Sequence, residues 1–128
     1  MSNIRYMYVR DAKWEPIGCV AISLDRSKNR ARYGLSMRHP KDALNSKGRR
    51  VRFDRSQAQE LALNNMVCER KTAYITSEAN MHEVTAAVCK DIIARGSAST
   101  SAIKFAKRWL SVNELVYMNN ASTFYPFD

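Results

Sequence analysis

The chain has 128 residues, 45% of them hydrophobic and 26% charged, with only four Gly and three Pro and a formal net charge of +9. That size and composition allow one packed core, expected as a single domain over residues 1–128, and argue against disorder except at the ends. No apolar run, such as 17–24, is long enough to span a bilayer.

The N-terminal Met-Ser-Asn-Ile-Arg-Tyr carries neither an apolar h-region nor a cleavage-like site, so no secretion signal is expected. Cys19, Cys68 and Cys89 form no CxxC pair and leave an odd count. This argues against a disulfide framework or a zinc ribbon and for a cytoplasmic, reducing setting. The charge is local. Residues 25–55 hold eleven of the twenty-one Lys and Arg against three acids. Such a field favours phosphate-rich partners, whether nucleic acid, nucleotide or an anionic surface.

In chain order, the first forty residues read as strands. Ile4–Arg10 is rich in aromatic and β-branched residues, with Ile4, Tyr6 and Tyr8 on one face and Arg5, Met7 and Val9 on the other. The three tyrosines Tyr6, Tyr8 and Tyr33 are expected on the inner face of the sheet, with Met7 and the arginines outward. After a polar connection, 17–24 places Val20, Ile22 and Leu24 on one side. Residues 25–29 form a turn. Arg30–Met37 then alternates, with Ala31, Tyr33, Leu35 and Met37 inward and Arg30, Arg32, Gly34 and Ser36 outward. Short connections predict an antiparallel meander with one apolar face needing a helical cover.

The remainder reads mostly as helix. Pro40 and Lys41-Asp42-Ala43-Leu44 can begin one, with Leu44, Gly48 and Val51 on a narrow buried stripe and Lys47, Arg49, Arg50 and Arg52 fanned around the rest. Ser56-Gln57-Ala58-Gln59 has capping-box spacing and restarts or continues a helix through Leu61, Ala62 and Met66. Residues 71–76 are a short fourth strand or an extended lead-in. Asn80-Met81-His82-Glu83 predicts a helix from Met81 to Arg95 with Met81, Val84, Val88 and Ile92 as its apolar stripe and Gly96 as its stop. A last helix is predicted over 100–110, with Ala102, Phe105, Ala106 and Trp109 inward and Lys104, Lys107 and Arg108 outward. The aromatic tail Phe124-Tyr125-Pro126-Phe127 is expected to dock on its own domain or a neighbour. The fold class is therefore α+β: a three- to four-stranded antiparallel meander against about three helices.

Metal and covalent chemistry find little support. His39 and His82 have no partner at ligand spacing, and neither HExxH nor HxE…CxxC occurs. GxSxG is absent, and no carboxylate pair stands out. No catalytic residue and no cofactor is assigned, and the chain is expected not to be an enzyme.

Phosphate recognition has two candidate elements. In the first, Lys47, Arg49, Arg50 and Arg52 surround Gly48. Guanidinium forks match phosphate oxygens bidentately and lysine adds a point charge. Between residues 38 and 55, seven basic residues face two acids, a repulsion that a merely solvated face would soften with Glu. The second is the hydroxyl-rich turn Gly96-Ser97-Ala98-Ser99-Thr100-Ser101 entering a helix, where free N–H groups and the dipole attract anions. Ser99, Thr100, Lys104 and Arg108 are its candidate contacts. An ordinary Ser/Thr cap explains the turn taken alone; the Lys104/Arg108 pair adds weight to the anion reading.

Four local patterns carry a resemblance: Tyr-x-Tyr-Val-Arg-Asp (Tyr6 to Asp11), Pro-Ile-Gly-Cys-Val-Ala (Pro16 to Ala21), Tyr-Gly-Leu-Ser (Tyr33 to Ser36) and His-Pro-Lys-Asp-x-x-Asn-x-Lys-Gly-Arg (His39 to Arg49). They look like a group of small phage and prophage proteins and resemble the Thoeris anti-defence sponge family over about the first half of the chain. The resemblance implies a non-enzymatic oligomer with an antiparallel sheet and helices. Such a protein sequesters cyclic nucleotide immune signals in pockets between subunits, in the host cytoplasm. It also implies basic residues on a late helix holding phosphates, for which Lys104 and Arg108 are the counterparts, with Lys104 in place of an Arg. The expected partners are a nucleotide second messenger and further copies of the chain, and no membrane. The alternatives are a basic phage protein that coats nucleic acid, and an inhibitor covering an acidic host protein surface.

Overall fold

The structure is a computed structural model that describes residues 4–38 and 46–124, with side chains described as far as residue 113. Strands β1 (Ile4–Arg10), β2 (Pro16–Asp25), β3 (Arg30–Met37) and β4 (Lys71–Tyr74) form one antiparallel sheet in the order β1-β2-β3-β4. A short 3₁₀ turn, Arg26–Lys28, joins β2 to β3. Helices α1 (Arg55–Glu69), α2 (Met81–Arg95) and α3 (Thr100–Phe124) complete the α+β fold. Among the described residues no helix is long and apolar enough to cross a membrane.

The sheet is covered on both faces. The register aligns Met7, Val20 and Leu35 across three strands, and Ile22 with Tyr33 two residues on. This side packs Val9, Val20, Ile22, Ala31 and Tyr33 against Val84, Val88 and Ile92 of α2 and Phe105 and Ala106 of α3. The opposite side carries Tyr8, Cys19, Ala21 and Gly34 and packs on Ala58, Ala62 and Met66 of α1.

This corrects the expectation of a single buried face. Gly34 and Ser36, read as outward, lie under α1. A Cβ on Gly34 would stand 2.1 Å from the Met66 nitrogen and 2.3 Å from the Ala62 oxygen, so the helix backbone rests directly on the strand. Side chains then stitch the two together. Ser36 Oγ donates to the Ala58 carbonyl at 2.8 Å, and Asn65 Nδ2 donates to the Leu35 carbonyl at 2.8 Å. The tyrosines divide as well: Tyr33 is buried toward α2, Tyr8 packs under α1, Tyr6 is exposed, and Met7 points inward.

Local chemistry explains the helix limits. Asp54, not Ser56, caps α1 by accepting from the Gln57 N–H at 3.0 Å. The buried stripe is Ala58, Ala62 and Met66, while Leu61 is exposed. At α2 the Asn80/Glu83 capping box forms in full and Gly96 stops the helix in the left-handed region. α3 runs well past the expected residue 110, since neither Gly nor Pro occurs from 97 to 125 to break it. The expected helix around Gly48 does not form over residues 46–54. Gly48 has φ +74 and sits in a turn, and Val51 is exposed. Its proposed start at residues 40–44, and the tail over 125–128, lie outside the described residues.

Candidate ligand cleft

Four segments converge at one end of the sheet. The β1–β2 connection is a tight turn built by Asp11, whose Oδ1 accepts from the Lys13 and Glu15 N–H groups at 2.9 Å each. It holds Trp14 at φ 67, 63% exposed, and presents the Glu15 carboxylate. The end of β3 is fixed by the Arg38 N–H donating to the Ile17 carbonyl at 2.7 Å. The extended segment 50–53 leads into α1, with Phe53 edge-on to Tyr8 at 6.1 Å between centroids. The start of α3 is closed by Ser99, whose Oγ accepts from the Ala102 N–H at 3.3 Å.

Between them lies a cleft of about 780 Å³. Its apolar surface comes from Pro16, Ile17, Met37, Val51 and Phe53. Its polar surface comes from Arg38, Arg50, Arg52, Asp11, Glu15, Ser99 and Ser101. A neighbouring cleft of about 670 Å³ reaches the start of α1 and shares Pro16, Arg52 and Phe53 with the first. The two form one groove with Arg52 and Phe53 at the junction, and Arg55 lines its far part.

The cations differ in availability. Arg50 pairs with Glu15, and both side chains are substantially exposed. Such a surface pair contributes only about 0–1 kcal/mol, so a phosphate competes with it readily. The Arg55 guanidinium lies 5.2 Å over the Tyr8 ring. Among the described residues no carboxylate pairs with Arg38 or Arg52. Arg52 is also exposed, and it stands where the two clefts meet.

Of the residues expected from sequence to hold phosphate, Arg50, Arg52 and Ser99 come together here. Thr100 opens α3 and is exposed, but its neighbour Ser101 lines the cleft. Lys47 and Arg49 are exposed on the turn around Gly48, away from the lining. Lys104 is exposed farther along α3. Arg108 donates Nη1 to the Arg10 carbonyl at 3.1 Å and thereby ties α3 to β1. Among the described residues, the two elements therefore meet through Arg50, Arg52, Ser99 and Ser101.

Arg38, Phe53 and Glu15 were not singled out from sequence. Arg52-Phe53-Asp54-Arg55 does carry the usable sign, an aromatic set inside an arginine run. Among the described residues no group of three or more His, Cys, Asp or Glu could hold a metal ion. His82 lies against Trp109, with ring centroids 5.2 Å apart and planes tilted by 43°, roughly two and a half turns along α3 from the cleft. No protein-family model, curated protein or solved structure matches this chain.

Proposed function

We propose that the protein binds and sequesters a cyclic nucleotide or related phosphate-containing signal, without hydrolysing it, as a phage-type anti-defence sponge. One observation carries this reading: Arg38 and Arg52, unpaired among the described residues, border a cleft whose floor is apolar. Arginine forks neutralise phosphate oxygens. Phe53, Ile17 and Met37 offer a wall for a base, and Ser99 and Ser101 add hydroxyl donors at the positive end of α3. The cleft is open on one side, and a second copy of the chain closes it in this proposal. Sequestration needs tight, stoichiometric binding and no bond cleavage, which guanidinium, hydroxyl and apolar groups supply.

Calorimetry at low salt with cyclic di- and trinucleotides and cyclic ADP-ribose isomers tests the reading. At least one should bind and be recovered intact after heating the complex. Arg52→Ala should weaken that binding roughly tenfold or more, as expected for loss of a charge-assisted hydrogen bond, with no change in melting temperature. Absence of binding across the whole panel would sink the proposal.

A further inference from the structure

The other half of the basic stretch lies elsewhere. α1 rests on the sheet at Gly34, and Ile4 packs at the edge of that contact; beyond it, among the described residues, Arg30, Arg32 and Tyr74 on the same face are exposed toward the β2–β3 hairpin. The register places Ile4, Ser23, Arg32 and Thr72 in one row and Asp25, Arg30 and Tyr74 in the next. Arg70, the left-handed C-cap of α1, immediately precedes β4. All three arginines are exposed, and Tyr74 is 75% exposed.

The acids nearby are already engaged. The Asp25 carboxylate accepts from Ser27 Oγ at 2.7 Å and the Lys28 N–H at 3.3 Å, and the Ser27 bond leads in holding its carboxyl below the ordinary range. Glu69 pairs with Lys71 at 3.5 Å. Among the described residues no carboxylate pairs with Arg30, Arg32 or Arg70. Arg30 and Arg32 stand two residues apart on one strand face, roughly 7 Å, and among the described residues neither is held in an ion pair, although Asp25 lies across from Arg30.

We infer that this open sheet face binds single-stranded nucleic acid, at a site separate from the cleft. Arg30 and Arg32 match the phosphate backbone, and the exposed Tyr74 offers a base a stacking surface that does not depend on sequence. The small side chains Ser23 and Thr72 keep the rows between them flat. An acidic protein partner fits less well, because the patch has no apolar centre of the kind a protein interface buries.

Fluorescence anisotropy with labelled dT12 and rU12, across a salt series, tests the inference. Binding should weaken linearly in log K against log salt. Tyr74→Ala should lower affinity about tenfold without changing the slope. Arg32→Ala should reduce the slope by roughly 0.7. Arg52→Ala, in the cleft, should leave both unchanged. Circular dichroism confirms that these surface variants are folded. The inference is overturned by no binding, by equal binding of a duplex, or by loss of binding in Arg52→Ala but not in Tyr74→Ala. Polyglutamate competing as well as the oligonucleotide would also overturn it.

Discussion

On its α2–α3 side the sheet offers Val20, Ile22 and Tyr33 to Val84, Val88 and Phe105, and on its α1 side it offers Cys19, Ala21 and Gly34 to Ala58, Ala62 and Met66. The first side is held by interlocking bulk, and its stabilisation follows the apolar area removed from water. The second is held by approach: small residues bring a helix backbone onto a strand, and side-chain hydrogen bonds fasten it there. One sheet thus tolerates loss of volume poorly on one face and gain of volume poorly on the other.

The largest expected effect breaks the bulk side. Ile22→Ala leaves a cavity between β2 and α2 and should cost about 4 kcal/mol in denaturant unfolding. Gly34→Ala breaks the approach side. Its new methyl meets helix backbone, which cannot rotate away, and about 3 kcal/mol should be lost. Gly48→Ala is the control, because a Cβ there meets no described atom within 4 Å and its positive φ is what opposes the change, at about 1 kcal/mol.

Tyr33→Phe sharpens the comparison by removing a polar tie from the bulk side. Tyr33 Oη donates to Asp91 Oδ2 at 2.6 Å, and Arg95 Nε donates to the same oxygen at 2.5 Å. Burial, and then Asp91, holds the Tyr33 hydroxyl well above its ordinary titration range. Arg95 keeps Asp91 partnered in the variant, so the loss should be about 1 kcal/mol.

The smallest effect uses one thiol from each face. Burial pushes Cys89, on α2 in the core shared with α3, up to about 12 and Cys19, under α1, up to about 11. The unfolded chain loses these protons first, near pH 9, so the native state binds more protons above that pH. Stability should therefore be intact below pH 9 and decline as pH rises toward 11 and 12. The decline should be shallower in Cys89→Ala and Cys19→Ala than in the parent, measured by thermal melts across that range. Cys68 is exposed and should be the thiol that a disulfide reagent labels in the native protein.

Much of the framework was legible because its signs are local. The alternation in Ile4–Arg10 and Arg30–Met37 matched the strands, and the Asn80/Glu83 box with Gly96 bounded α2. The second cover of the sheet was not legible. Gly34 and Ser36 look like the outward half of an amphipathic strand, and only the facing Ala58–Ala62–Met66 stripe reveals that small residues can be buried residues. The Gly48 region misled for a related reason: apolar spacing suggested helix, while the glycine served a turn. At the cleft, Arg50, Arg52 and Ser99 followed from residue type. Arg38 and Glu15 depended on how strands end, which pairwise sequence spacing does not encode. Arg26, in the turn after β2, donates Nη1 to the Ser77 and Ala79 carbonyls, a tie that its place in a turn does not reveal.

The chain has two tryptophans, and they stand in opposite environments. Trp14 projects from the turn whose Asp11 and Glu15 line the groove, whereas Trp109 is half-buried against His82 where α2 and α3 pack. The protein therefore carries its own pair of optical probes. Long-wavelength emission from Trp14 reports on the β1–β2 turn that carries Asp11 and Glu15, and the shorter-wavelength emission of Trp109 reports whether the helical layer is intact. Occupancy and unfolding can be followed in one spectrum without a label.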